Sequence, residues 1–169
     1  MRAKYISRSA DHVYCLDSAG GGGRPIGAEL LRRGFILTGV DSSASLIRHA
    51  RSALPDGNWI VDDMRRFDPA HCFDGVIAWH SFFHLSRNDQ RAMIPRFARL
   101  VRSGGPIMFT SGSKAGEAWG EWQGEPLFHA SLAPEEYREL LGAAGFEAIT
   151  YIDADPVATI WLATWKDEA

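Results

Sequence analysis

Apolar residues cluster in five short continuous runs: HVYCLD at 12–17, FILTGVD at 35–41, NWIVDD at 58–63, DGVIAWH at 74–80 and PIMFTS at 106–111. Unbroken apolarity over so few residues predicts strands covered on both faces, the condition of a parallel sheet flanked by helices. Helical patterns lie between them. Pro25 to Arg33 starts on a proline and stops at Gly34, a residue able to take the left-handed cap conformation. Ser42 or Ser43 can cap a second helix that sets Leu46, Ile47, Ala50 and Leu54 on one face and Arg48 and Arg51 on the other. A third follows Ser86, with Asp89 completing a capping pair, and carries Met93, Ile94, Phe97, Leu100 and Val101; Pro95 is expected to kink it. The fourth runs from Pro134 through Tyr137, Leu140, Leu141 and Ala144 to Gly145. The last two apolar runs, FEAITYID and TIWLATWK, are too close together for a parallel crossover and are expected to pair as an antiparallel hairpin.

Right-handed crossovers bring the C-terminal ends of parallel strands to one edge of the sheet, where ligands of such folds bind. With 169 residues the chain is expected to form one domain over 1–169, and the stretch 112–134, too long for a simple connection, reads as a substrate-side insert. A net charge of −3 without long basic clusters argues against nucleic acid as a partner. The lack of an 18-residue apolar run or of an apolar N-terminal stretch argues against a membrane span or secretory signal, so the expected location is the cytoplasm. Cys15 and Cys72, without CxxC spacing, read as reduced thiols.

Between the first strand and the first helix stand Ser18-Ala19 and four glycines at 20–23, followed by Arg24-Pro25. Glycine tolerates positive φ and leaves no Cβ between the main chain and a ligand. The loop lacks the terminal Gly-Lys-Ser/Thr of a phosphate-gripping loop, and GxGxxG fails in every register. Asp17, Asp41 and Asp63 each stand at the C-terminal end of a predicted neighbouring strand. A row of carboxylates accepts hydrogen bonds from an ammonium, a ribose diol or an exocyclic amine, so it suits a cationic, hydroxyl-bearing nucleoside.

On these residues the chain resembles the class I S-adenosylmethionine-dependent methyltransferases of small-molecule type, whose first motif reads hydrophobic-Asp-x-Gly-x-Gly-x-Gly. Leu16, Asp17, Gly21 and Gly23 fall onto that motif, with Ala19 replacing its first glycine. The resemblance implies an α/β, Rossmann-like doubly wound fold: a mostly parallel seven-stranded sheet ending in an antiparallel hairpin, with helices on both faces. It implies S-adenosyl-L-methionine as cofactor and S-adenosyl-L-homocysteine as product. Asp17, Ala19, Gly21 and Gly23 would then cradle the cofactor, Asp41 with Ser42 would hold the ribose hydroxyls, Asp63 with Met64 would meet the adenine, and Trp79 and His80 would face the methionine end. Family members generally carry covering helices ahead of the first strand, whereas about a dozen residues precede His12 here. Either the 112–134 insert or a second subunit of a homodimer is expected to cover the pocket instead, or the chain is a reduced form with impaired turnover.

Methyl transfer from a sulfonium is an in-line displacement, accelerated largely by holding the reacting atoms collinear, so no triad or metal is required. Where the acceptor must lose a proton, His80 and His84 are the candidate bases. Their HxxxH spacing has no following Glu and lies in a strand-end loop, so no metal site is expected. Trp119, Trp122 and Phe128, interleaved with Glu117, Glu121, Glu125 and His129, are expected to line the small-molecule acceptor side. Two other readings remain open: a cofactor-binding or regulatory module of the same fold without turnover, and an NAD-dependent oxidoreductase. The latter explains Asp41 but not Asp63.

Overall fold

The computed structural model describes residues 12–17, 25–122, 124–153 and 159–166, the first of these stretches and Trp122 by backbone alone. Strands β1 (His12–Asp17), β2 (Ile36–Asp41), β3 (Asn58–Val61), β4 (Gly75–Trp79) and β5 (Pro106–Ser111) coincide closely with the five apolar runs. Helices α1 (Ile26–Arg32), α2 (Ala44–Ala53), α3 (Arg87–Leu100) and α4 (Pro134–Ala143) follow β1, β2, β4 and the 112–134 stretch. That stretch is not an irregular loop: it folds into a hairpin of β6 (Gly116–Trp122) and β7 (Glu125–Ser131). The chain ends in β8 (Phe146–Ile152) and β9 (Thr159–Trp165).

Strands of the main sheet hydrogen-bond in the order β3-β2-β1-β4-β5-β9-β8, and β6-β7 forms a separate two-stranded sheet. Pairs among β1 to β5 are parallel, while β9 runs antiparallel to both β5 and β8. The result is a Rossmann-like α/β fold whose strand order reverses beside β1 and β4. Crevices at such reversals, beyond the strands' C-terminal ends, are where ligands of these folds bind.

Side chains of a strand alternate between faces, and β4 shows why both must be covered. Val76 and Ala78 join a core with Met93, Ile94 and Phe97 of α3 and Tyr137 and Leu141 of α4. Ile77 joins the opposite core with Leu30 of α1 and Ile47 and Ala50 of α2. Each large side chain buried this way contributes roughly 1.5–3 kcal/mol.

The helix boundaries follow local chemistry. Ser43, not Ser42, caps α2 by accepting the Leu46 N–H at 3.4 Å. Ser86 caps α3 by accepting the Asp89 N–H at 3.1 Å, and its hydroxyl donates to the Asp89 carboxylate at 2.9 Å. Pro95 does not end α3, which continues to Leu100. Gly34 takes the expected positive φ, +85°, after α1, and Gly145 does the same after α4 at +88°. No helix among the described residues is long and apolar enough to cross a membrane.

Candidate cofactor and acceptor site

The parallel strands deliver their last residues to one edge. There β1 ends at Asp17, paired in register with Trp79 at the end of β4, and β2 ends at Asp41, paired with Val61. Ala19, Gly21 and Gly23 lie outside the described residues, as does the Asp17 side chain.

Asp41 is only 8% exposed. Its Oδ1 accepts the Ser43 N–H at 2.7 Å, while its Oδ2 is buried without a hydrogen-bond partner. Removal from water pushes the Asp41 carboxyl above its usual range, and the Ser43 N–H opposes that shift only partly. A buried acceptor left unsatisfied costs free energy unless something supplies a donor. Vicinal hydroxyls, such as those of a ribose, would supply it. Ser42 beside it is exposed.

Asp63 behaves differently from its equivalent placement in the sequence. β3 stops at Val61, and a turn in which the Arg66 and Phe67 N–H groups donate to the Asp63 carbonyl follows it. The Asp63 carboxylate is gripped by Arg65, with Nε at 3.0 Å and 3.1 Å from its two oxygens and Nη2 at 2.6 Å from Oδ2. The Arg65 guanidinium holds the carboxyl below its ordinary value. A row of three equivalent free acids is therefore not what the described residues present: Asp41 has an oxygen to spare, and Asp63 is committed to an arginine. Met64, half-buried, packs against the α3–α4 core.

A chain of aromatic rings leads away from this edge. Trp79 meets His80 edge-on at 5.0 Å, His80 meets Phe83 at 5.8 Å, and Phe83 meets His84 and His129 at 4.7 Å and 5.3 Å. His80 turns the backbone sharply, with φ of +48°, and its N–H donates to Thr110 Oγ1 at 2.9 Å. A left-handed non-glycine residue is sterically disfavoured and is seen here at the strand end that faces the crevice. A single 3-10 turn, Phe82–His84, then points His84 toward β7.

His84 Nδ1 lies 2.9 Å from the Phe128 carbonyl oxygen. A carbonyl can only accept, so Nδ1 carries a proton and Nε2 is the ring nitrogen left for another partner. His129 lies 4.9 Å from His84, centre to centre. Burial first, and the neighbouring His84 second, hold His129 below the usual imidazole value.

Cross-strand register decides which residues of the hairpin join this cluster. Trp119 pairs with Phe128 and their rings meet at 5.1 Å, whereas His129 pairs with Ala118 on the opposite face. The expected aromatic wall is thus divided: His129 meets His84 and Phe83, and Trp119 is 73% exposed on the other side. The sequence reading put His129 among the lining residues but did not pair it with His84. The available signal was Gln123-Gly124 between two runs of seven residues, since a two-residue connection fixes hairpin register.

The methyltransferase domain family model matches residues 15–105. An uncharacterized methyltransferase of Bacillus licheniformis is 32% identical over 106 residues, covering 62% of this chain and 48% of that protein. A trans-aconitate 2-methyltransferase of Azoarcus sp. is 38% identical over 71 residues, 42% of this chain and 27% of that protein. The chain spans about half the length, or less, of these curated relatives. Among solved structures, a SAM-dependent methyltransferase of Methanosarcina mazei superposes with a TM-score of 0.78 at 14% identity, covering 96% of each chain. An amino pentose methyltransferase of Micromonospora echinaspora, solved with S-adenosylmethionine bound, gives 0.71 at 17% identity over 92% of this chain and 83% of that one.

Proposed function

The chain belongs to the class I S-adenosylmethionine-dependent methyltransferases, and on that basis we propose that it moves a methyl group from S-adenosylmethionine to a small-molecule acceptor by in-line displacement. The observation that carries the cofactor assignment is the buried, unpartnered Oδ2 of Asp41 at the end of β2. It fits a ribose hydroxyl as donor, with Ser42 beside it. Asp17, Ala19, Gly21 and Gly23 complete the cradle in this reading, Asp63 and Met64 border the adenine, and Trp79 flanks the methionine end. S-adenosylmethionine, when bound, supplies an electrophilic methyl on sulfur. The protein's own contribution is alignment and exclusion of water.

We read residues 1–169 as one domain in the cytoplasm, with 112–134 as its acceptor-side insert. Support for a small-molecule acceptor comes from relatives named for trans-aconitate and for an amino pentose. On that side, His84 Nε2 is the atom placed to take a proton from an acceptor, because the Phe128 carbonyl holds the proton on Nδ1. His80 is the alternative base, and the His129 ring flanks His84 at 4.9 Å.

Isothermal titration of the full chain with S-adenosylmethionine, S-adenosylhomocysteine and NAD tests the assignment. Saturable binding of the first two and none of NAD is expected. Transfer of a labelled methyl to a panel of small amines, alcohols and carboxylates then tests turnover. Binding of NAD alone would overturn the proposal, and binding without transfer to any acceptor would replace the enzyme with a regulatory module.

A further inference from the structure

One concavity of the described residues lies away from the Asp41 edge. A pocket of about 330 Å³ opens between the β3–β4 connection and the last turn of α3, lined in part by Arg66, Asp68, His71, Cys72, Arg96 and Arg99. Residues 68–72 lead into β4, and Phe73 pairs with Val101 just beyond α3. The pocket therefore sits at the N-terminal edge of β4, on the order of 15 Å of strand away from Trp79. It lies at the opposite end of β4 from Trp79, with Arg66 linked to the Asp63 carbonyl through its backbone N–H at 2.8 Å.

Its charge runs against that of the molecule. The chain carries a net −3, yet three arginines converge here against one aspartate. The ion pairs of the described residues use Arg32, Arg33, Arg65, Arg91 and Arg102, and none of the three pocket arginines. Arg96 is held rigidly: its Nη2 donates to the Phe67 carbonyl at 2.8 Å, while its Nε is buried without a partner. Three guanidinium groups of like charge face this concavity, and a multiply charged oxyanion offsets their repulsion while accepting N–H groups that no ion pair uses. The volume lies at the small end of ligand pockets, with room for an organic group beside the anion.

We infer that this pocket binds a phosphate group, free or borne on a small molecule, through Arg66, Arg96 and Arg99. The inference is independent of the methyl-transfer reading, since no residue of the proposed cofactor or acceptor site lines the pocket.

Isothermal titration of the full chain with inorganic phosphate and with phenyl phosphate, at low ionic strength, tests it. Saturable binding is expected, weakened at least tenfold in Arg66→Gln and in Arg99→Gln and strengthened in Asp68→Asn. Both arginines are exposed, so these variants are expected to melt with the parent protein. The exposed Cys72 thiol, which donates to the Arg99 carbonyl, gives a local readout: its alkylation by iodoacetamide slows on saturation. Tighter binding of phenyl phosphate assigns the pocket to an organic phosphate, and equal affinity assigns it to the free anion. Absence of saturable binding, or affinities and alkylation rates unchanged in both arginine variants, overturns the inference.

Discussion

Asp41 is under two opposed demands. Its burial raises the carboxyl above its ordinary value, whereas the proposed ligand is best held by the charged acceptor. Asp41→Ala is therefore expected to weaken S-adenosylmethionine by about 1.5–3 kcal/mol, the size of lost hydrogen bonds to a charged group, as read by titration calorimetry. Asp63→Ala is expected to cost less, because Arg65 already occupies both of its oxygens. A carboxyl whose folded pKa lies above its unfolded one contributes stability that is present below the unfolded value and lost as pH rises through the folded value. Asp41→Asn should thus raise the melting temperature of the ligand-free protein at pH 7, with the gain shrinking as pH falls toward 4. His129 offers a second titration. Its pKa is lowered by burial and then by His84, so His84→Ala should move it upward, though not to the ordinary value, because the burial remains. Chemical-shift titration of the His129 ring follows this directly, and an unmoved value would show that the two rings do not interact.

At the scale of elements, β2 and β3 meet through a glycine that leaves room for an indole. A Cβ at Gly39 would stand 2.2 Å from Trp59 Cζ3. The ring cannot easily retreat, because Trp59 Nε1 donates to the Leu54 carbonyl at 2.8 Å and the Trp59 carbonyl accepts Arg51 Nη2 at 2.7 Å. Gly39→Ala is expected to destabilise the protein by about 1–3 kcal/mol, the range for overpacking, measured as a fall in denaturant midpoint. FILTGVD and NWIVDD could be recognised as strands from their apolarity, but not this contact, since sequence carries no information on which ring crosses which backbone. The 112–134 stretch shows the same limit. Its aromatic residues were visible, yet the side of a strand that each occupies depends on register, and register separates His129 from Trp119.

Across the whole molecule, one buried polar network joins parts that are far apart in the chain. Gln90 of α3 donates through Nε2 to the Leu85 and Ala130 carbonyls at 2.9 Å and 2.8 Å, and its Oε1 accepts the Tyr137 hydroxyl of α4. The Tyr137 oxygen in turn accepts the Leu132 N–H at 3.1 Å. Tyr137→Phe strands two buried groups and is expected to cost about 1–3 kcal/mol. Burial pushes the Tyr137 hydroxyl up to about 12 from an ordinary 10.0. Its contribution to stability is therefore complete below pH 10 and lost as pH rises toward 12, a slope that Tyr137→Phe should lack in alkaline unfolding curves. Tyr137 reads in the sequence only as one position of a helical pattern, and no sequence motif singles out Gln90. The order of apolar runs, caps and glycines determined the strands of the main sheet, the helices and the closing hairpin, because those choices rest on interactions between residues close in the chain; the β6–β7 hairpin was not among them. Which carboxylate keeps a free oxygen, which histidines touch and where arginines gather were decided only by the tertiary structure, because each depends on neighbours that the folded backbone brings from distant segments.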